Sequence, residues 1–251
     1  MNPNPDERAL TCLLEGKLTM QGEFMWGSNY TFLIQVEHTL GEYQAVYKPN
    51  KGVRPLWDFP SQTLARREVA AYLVDLALGW NQVPPTVFRP DGPLGPGSLQ
   101  LFIEHDPEYH YFNFSPQDRQ RLRPVALFDL LINNADRKGS HILFDPNRKI
   151  WLIDHGICFH VQEKLRTVVW DYSGEGIPEE LCRDLSQLRQ KIASQQIDPN
   201  SPSTQAGFSR LNHYLSPTEI AALLQRADRL VAAGRFPDPD PGRRHYPWPA
   251  I

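Results

Sequence analysis

Two acidic residues, Asp136 and Asp154, stand where polar turns meet apolar runs in LLINNADRKGSHILFDPNRKIWLIDHG, from Leu130 to Gly156. Ile142 to Phe144 and Ile150 to Ile153 read as two short strands, and Asp145, Pro146 and Asn147 between them are turn formers. A hairpin there brings its two ends together. Asp136, just ahead of the first strand, and Asp154, just after the second, then project near one spot, where paired carboxylates can handle a metal-bound phosphate. Lys48 ends an earlier strand-like run against the loop PNKGVRP, and Glu68 precedes an apolar helical stretch from which it could reach a lysine on a neighbouring sheet. Each has a plain alternative: Lys48 as a solvated surface charge, Glu68 as a surface partner of Arg66 or Arg67.

The elements that must position these groups are read from periodicity. Tyr30 to Val36 and Tyr43 to Tyr47 are rich in β-branched and aromatic residues on either side of a turn centred on Gly41, a hairpin pattern. The loop ahead of it, Gly22 to Asn29, ends in Ser28 and Asn29 and has the small residues with which backbone amides face a phosphate, although most such loops are only turns. Leu64 to Leu78 repeats apolar residues at helical spacing and stops at Gly79. Val83 to Phe88 and Ser98 to Glu104 read as strands, and Leu10 to Leu14 as a short helix or strand after a mobile start. The polar, aromatic run from Glu104 to Ser115 suits a linker, dividing the chain into a β-rich lobe, 1–104, and a helical lobe, 105–251. In the second lobe Ser115 caps a helix, Val125 to Ile132 is strongly apolar, and further helices are expected at about Pro178 to Ser194 and Pro217 to Ala233. The last of these opens with the capping-box pattern Ser216-Pro217-Thr218-Glu219. The tail FPDPDPGRRHYPWPAI is too rich in proline for regular structure, so Tyr246 and Trp248 are expected to pack on the surface.

Composition narrows the function classes. At 251 residues, 41% hydrophobic and 22% charged, the chain can bury a large core, and a net charge of −3 argues against a nucleic-acid partner. Three widely spaced cysteines support neither a disulfide framework nor a zinc cluster, and His110, His155 and His160 lack metal-motif spacing. No apolar run reaches the ~18 residues of a spanning helix, and the N-terminus is polar and acidic, so a cytoplasmic protein without stable membrane insertion is expected. Cys158, in an apolar run, is expected to be a buried thiol.

The order of a glycine-containing hairpin, Lys48, a helix with Glu68, a strand ending at Glu104, then Asp136 and Asp154 is the order of kinase parts, although no GxGxxG, HRD or DFG string is present. The wording resembles the phosphatidylinositol 3-/4-kinase superfamily, and type II phosphatidylinositol 4-kinases most of all. AVYKPNKG around Lys48, REVAAYLVDLALGWNQVPPT from Arg67 to Thr86, GSLQLFIE from Gly97 to Glu104, and NNADRKGSHILFD with WLIDHG carry the resemblance, roughly half the chain. It implies a two-lobed, protein-kinase-like α+β fold with a β-rich N-lobe and a mainly helical C-lobe, binding ATP and Mg2+. It implies Lys48 at the phosphates with Glu68 or a close neighbour as its partner, and Phe102 and Ile103 as hinge residues beside adenine. It also implies Asp136 as catalytic aspartate with Arg137 beside it, and Asp154 as principal magnesium ligand. The pattern D-R-x-x-x-N puts a magnesium-binding asparagine at position 141, where this chain has His141; magnesium prefers oxygen, which leaves the second metal position in question. Lys164 and Arg166, in a short segment after Gly156, either meet a phosphorylated substrate or are solvated.

The expected activity is ATP- and Mg2+-dependent phosphoryl transfer to a hydroxyl of a lipid, protein or metabolite, the acceptor and the oligomeric state being left open. A nucleotide-binding pseudokinase acting as a regulatory module, favoured by His141, and an AMP transferase are the alternatives.

Overall fold

The computed structural model describes residues 5–23, 30–51, 56–193 and 211–251. The first half is built on a five-stranded antiparallel sheet, in the order β1-β2-β3-β5-β4. Its strands are β1 (Lys17–Glu23), β2 (Phe32–His38), β3 (Gly41–Pro49), β4 (Thr86–Arg89) and β5 (Gly97–Leu101). The expected hairpin is β2–β3, paired from Phe32↔Tyr47 to His38↔Gly41 across a two-residue connection. Gly41 lies at the start of β3, just past the turn, with φ near +151°, a conformation open to glycine. Apolar residues alternate along β2 with Phe32, Ile34 and Val36 buried, so the sheet turns one face to the core.

Two helices cover that face. The leading segment is longer than the short element read from Leu10 to Leu14, and it is helical: α1 (Pro5–Glu15) starts with Asp6 and Glu7, where acidic groups favour the helix N-terminus, and buries Ala9, Leu10, Cys12 and Leu13. The second, α2 (Leu64–Leu78), has the bounds read from its periodicity. It ends where Gly79, at φ near +78°, donates its N–H to the carbonyls of Asp75 and Leu76. Most of α2 is buried, on more than one face, because it packs both on β4 and β5 and on a helix of the second half, α5 (Glu179–Ala193).

Two strand expectations need correction. Val83 to Phe88 shrinks to β4, because Pro84 and Pro85 have no N–H and the amides of Gln82 and Val83 are taken by Asp75 Oδ2 at 2.8 and 2.9 Å. β5 stops at Leu101, so Phe102, Ile103 and Glu104 form its exit.

The second half is mainly helical, with α3 (Pro116–Arg119), α4 (Arg123–Ile132), α5 and α6 (Pro217–Ala233). Ser115 caps α3 as expected. At α6 the reciprocal cap is formed, with the Glu219 amide donating to Ser216 Oγ and the Ser216 amide to Glu219 Oε2. Among the described residues no helix or strand follows Ala233; the tail instead lends backbone groups, His245 O accepting from the Thr167 amide and Ala250 O from the Gly139 amide. One continuous apolar core runs from Leu10 through the sheet and α2 to Phe236, so the two halves are packed as one body. The hairpin read between Asp136 and Asp154 is present as β6 (Ile142–Phe144) and β7 (Ile150–Leu152), paired Ile142↔Leu152 to Phe144↔Ile150.

Candidate active site

Three elements from distant parts of the chain deliver the central cluster. Lys48, next to the last residue of β3, is held in register by pairing with Ser98 of β5. Glu68 comes from the second turn of α2, and Asp154 follows β7. The Lys48 ammonium lies 2.6 Å from Glu68 Oε1 and 3.0 Å from Asp154 Oδ1. The second Glu68 oxygen accepts the His155 amide at 2.8 Å, so a carboxylate only 3% exposed has a partner on each oxygen. The surface alternatives for Lys48 and Glu68 are thereby replaced by a partly buried ion pair. Burial pulls the Lys48 pKa down, but the charges of Asp154 and Glu68 outweigh it and the net shift is upward, so the lysine stays charged. Burial likewise raises Asp154, and the Lys48 ammonium more than reverses it, leaving Asp154 well below the ordinary carboxylate range.

The backbone at Asp154 is unusual. Its φ of +62° lies in the left-handed region that residues with a Cβ avoid at a cost of roughly 1–2 kcal/mol. The chain holds this turn just past β7, where the carboxylate meets Lys48 on one oxygen and His141 Nε2, at 3.3 Å, on the other.

Asp136 lies on the loop between α4 and β6, its amide donating to Asn134 Oδ1 at 3.0 Å and its carboxylate 3.6 Å from Lys138 Nζ. Burial raises its pKa to about 6, Lys138 opposing the shift and the nearby Asp154 charge adding to it. Arg137, expected as a catalytic group beside Asp136, has no exposed surface. Its Nε donates to both oxygens of Asp129, Nη1 to the carbonyls of His141 and Ile153, and Nη2 to His155 Nε2. With every nitrogen engaged it cannot reach a substrate; it is a positioning residue that ties both ends of the β6–β7 hairpin to α4.

Two histidines complete the frame in neutral form. His155 accepts from Arg137 through Nε2, which places its proton on Nδ1 on the side of Glu68, and burial holds its pKa well down. His141 accepts the Lys138 amide through Nδ1 at 3.4 Å, which assigns its proton to Nε2, facing Asp154, and burial lowers its pKa to about 4. Phe102 and Ile103 stand at the exit of β5, the Phe102 amide bonded to Gln44 O of β3. Ser28 and Asn29 lie outside the described residues.

Sequence reasoning passed over Asp129, Thr167 and Lys138. Asp129, with no exposed surface, also accepts from Asn134 Nδ2 and Thr167 Oγ1 and so gathers the loop around Asp136. A single acid inside the apolar run VALFDLLI is the signal that marks it, since a carboxylate in such a place must be paired.

Comparison with known proteins agrees with this architecture. The crystal structure of a Helicobacter pylori proinflammatory kinase, CtkA, superposes with a TM-score of 0.51 at 12% identity, over 89% of this chain and 94% of that one. The fold is therefore the two-lobed, kinase-like α+β fold. Two plant proteins, both phosphatidylinositol 4-kinase gamma 4, are similar in sequence: that of Oryza sativa subsp. japonica at 29% identity over 43% of this chain, and that of Arabidopsis thaliana at 26% over 68%. The aligned regions make up 22% and 33% of those plant proteins. No family model matches. Protein Rv2133c of Mycobacterium tuberculosis is 38% identical over all of this chain and 98% of its own length, and the chain belongs to the family of that protein. Among the described residues no helix is long and apolar enough to cross a membrane.

Proposed function

We propose that this chain is an ATP- and Mg2+-dependent phosphotransferase of the phosphatidylinositol 3-/4-kinase-like class, acting in the cytoplasm on an acceptor hydroxyl. The observation that carries the reading is the Lys48 ammonium held between Glu68 and Asp154 with Asp136 close by, the set of charges that phosphoryl transfer needs. The names of the plant relatives and of the structural neighbour support it.

Lys48 would neutralise nucleotide phosphate oxygens, and Glu68 keeps it aimed into the cleft. Asp136 would orient the acceptor hydroxyl. As the bond from the γ-phosphorus to the bridging oxygen breaks, its electron pair stays with ADP; the acceptor oxygen forms the new bond, and its proton passes to Asp136. A carboxyl raised to about 6 is a competent base near neutral pH. Lys138, beside Asp136, adds charge for the group in flight. The Asp154 carboxylate would be the protein's oxygen donor to a magnesium ion that arrives with the nucleotide. When bound, that ion would offset the charge that builds on the transferring phosphate. The assigned proton on His141 Nε2 makes this residue an orienting partner of Asp154 in place of a second metal ligand.

The test is MgATP binding and turnover by the wild type, Lys48→Met and Asp154→Asn. Loss of one preorganised charge should lower turnover by about a hundredfold or more. Equal activity in all three would sink the reading. His141 supports a second one, a nucleotide-binding module without turnover; stabilisation by MgATP with no product from any acceptor would favour it. The mass of the modified product separates phosphate transfer from AMP transfer.

A further inference from the structure

Beside the loop that carries Asp136, the segment from Glu163 to Trp170, α6 and the C-terminal tail line an open cavity of about 690 Å³. Arginines dominate its polar lining: Arg166, Arg226, Arg229, Arg235, Arg243 and Arg244, against the acids Glu163, Asp238 and Asp240. Arg243 is paired with Asp240 at 3.3 Å. Arg166, Arg229 and Arg235 make no side-chain hydrogen bond or ion pair with any described residue.

Arg226 is the telling group. It is only 8% exposed; its Nε donates to Leu131 O at 2.8 Å and its Nη1 to His160 O at 3.3 Å, yet its Nη2 is buried without a partner among the described residues. Burial lowers its pKa to about 10, the Glu163 charge opposing that shift and the smaller Arg229 effect adding to it. A buried guanidinium donor left unmatched is costly, and an oxyanion that reaches it relieves that cost. Leu130, Leu165, Trp170 and Leu230 supply an apolar wall for the body of a ligand.

The cavity is joined to the catalytic loop. The Arg166 amide donates to Asn134 O at 2.8 Å, the Arg137 amide donates to Arg166 O at 2.9 Å, and the Arg166 charge acts on Asp136.

We infer that this cavity binds the acceptor by a phosphomonoester that the acceptor already carries, with Arg226, Arg229 and Arg166 on the phosphate and the acceptor hydroxyl toward Asp136. The inference rests on the phosphotransferase reading for its second half. A monoester is favoured over a diester because several guanidiniums without a partner among the described residues face the site, and a monoester brings close to two negative charges near pH 7. A soluble phosphate and a lipid head group both offer such a monoester, and the titration separates them.

The full chain is titrated with glycerol 3-phosphate, and in parallel with phosphatidylcholine vesicles containing either phosphatidic acid or phosphatidylinositol. Stabilisation by MgATP reports the nucleotide site separately. Binding of glycerol 3-phosphate identifies a soluble acceptor, and binding of phosphatidic acid vesicles alone a lipid one; in both cases phosphatidylinositol vesicles should bind more weakly. Arg229→Ala and Arg235→Ala, at exposed positions, should together weaken binding about tenfold or more, and Arg226→Met further. The inference is overturned if neither monoester binds, if phosphatidylinositol vesicles bind as well as phosphatidic acid vesicles, or if the arginine variants bind like the wild type. With MgATP stabilisation intact, those results leave the phosphotransferase reading standing. Monoester binding by a chain that does not respond to MgATP would overturn the acceptor role itself.

Discussion

Asp154 combines a backbone that resists it with a side chain the site requires. At φ near +62° glycine would be the comfortable residue, yet only the carboxylate reaches Lys48 and faces His141 Nε2. Strain held where a charge is needed points to function as its cause. Two substitutions separate backbone from side chain, since both remove the ion pair but only one relieves the turn. Asp154→Gly should be more stable than Asp154→Ala by about 1 kcal/mol, read as the difference in urea midpoints, while both lose MgATP turnover. Equal stability of the two variants would show that the turn is unstrained. The four charged residues that build the cluster are legible in the sequence by type and order. Their supports are less so, because Arg137, Asp129, Thr167 and His155 gain their roles from contacts between segments far apart in the chain.

Among the elements, the β3–β5 pairing does the most to place the site. A Cβ on Gly97 would fall 2.5 Å from Lys48 O, 2.7 Å from the Tyr47 ring and 2.8 Å from Pro49 Cα. Only a residue without a side chain lets β5 approach β3 at the lysine. Gly97→Ala must push the strands apart there, and overpacking of this kind costs about 1–3 kcal/mol. The expected outcome is a lower melting temperature together with weaker MgATP binding; normal nucleotide binding would mean that Lys48 does not depend on this pairing. The elements also show which local signals suffice. The stretch Leu64–Leu78 is readable because helical period and Gly79 agree. The shortening of the strand before Phe88 is not, because Asp75, back in α2, competes for the amides of Gln82 and Val83. The α1 helix is ambiguous for another reason: at 11 residues it is near the length at which packing, more than propensity, decides.

Over the whole molecule, one core joins sheet and helices, and buried charges fasten the halves. Arg67 of α2 bonds Cys158 O and reaches Glu219 of α6, whose other oxygen closes the helix cap. Asp75 sits in this same body, 1% exposed, with Oδ2 accepting two amides and Oδ1 without a partner among the described residues. Burial raises its pKa from 3.8 to about 7, the two amide bonds only partly opposing it. Between those values the folded chain holds a proton that the unfolded chain has released. Stability contributed by this group is therefore present in full below about pH 4, is lost as the pH rises toward 7, and is flat above. Each pKa unit is worth ~1.4 kcal/mol, so the loss is on the order of a few kcal/mol. Asp75→Asn keeps an oxygen acceptor for the two amides and cannot ionise. Its melting temperature should equal or fall below that of the wild type near pH 4 and exceed it at pH 8, with the difference growing across the interval. Other titrating groups are common to both proteins and cancel in that comparison. A difference independent of pH would mean that Asp75 is ionised throughout in the folded chain.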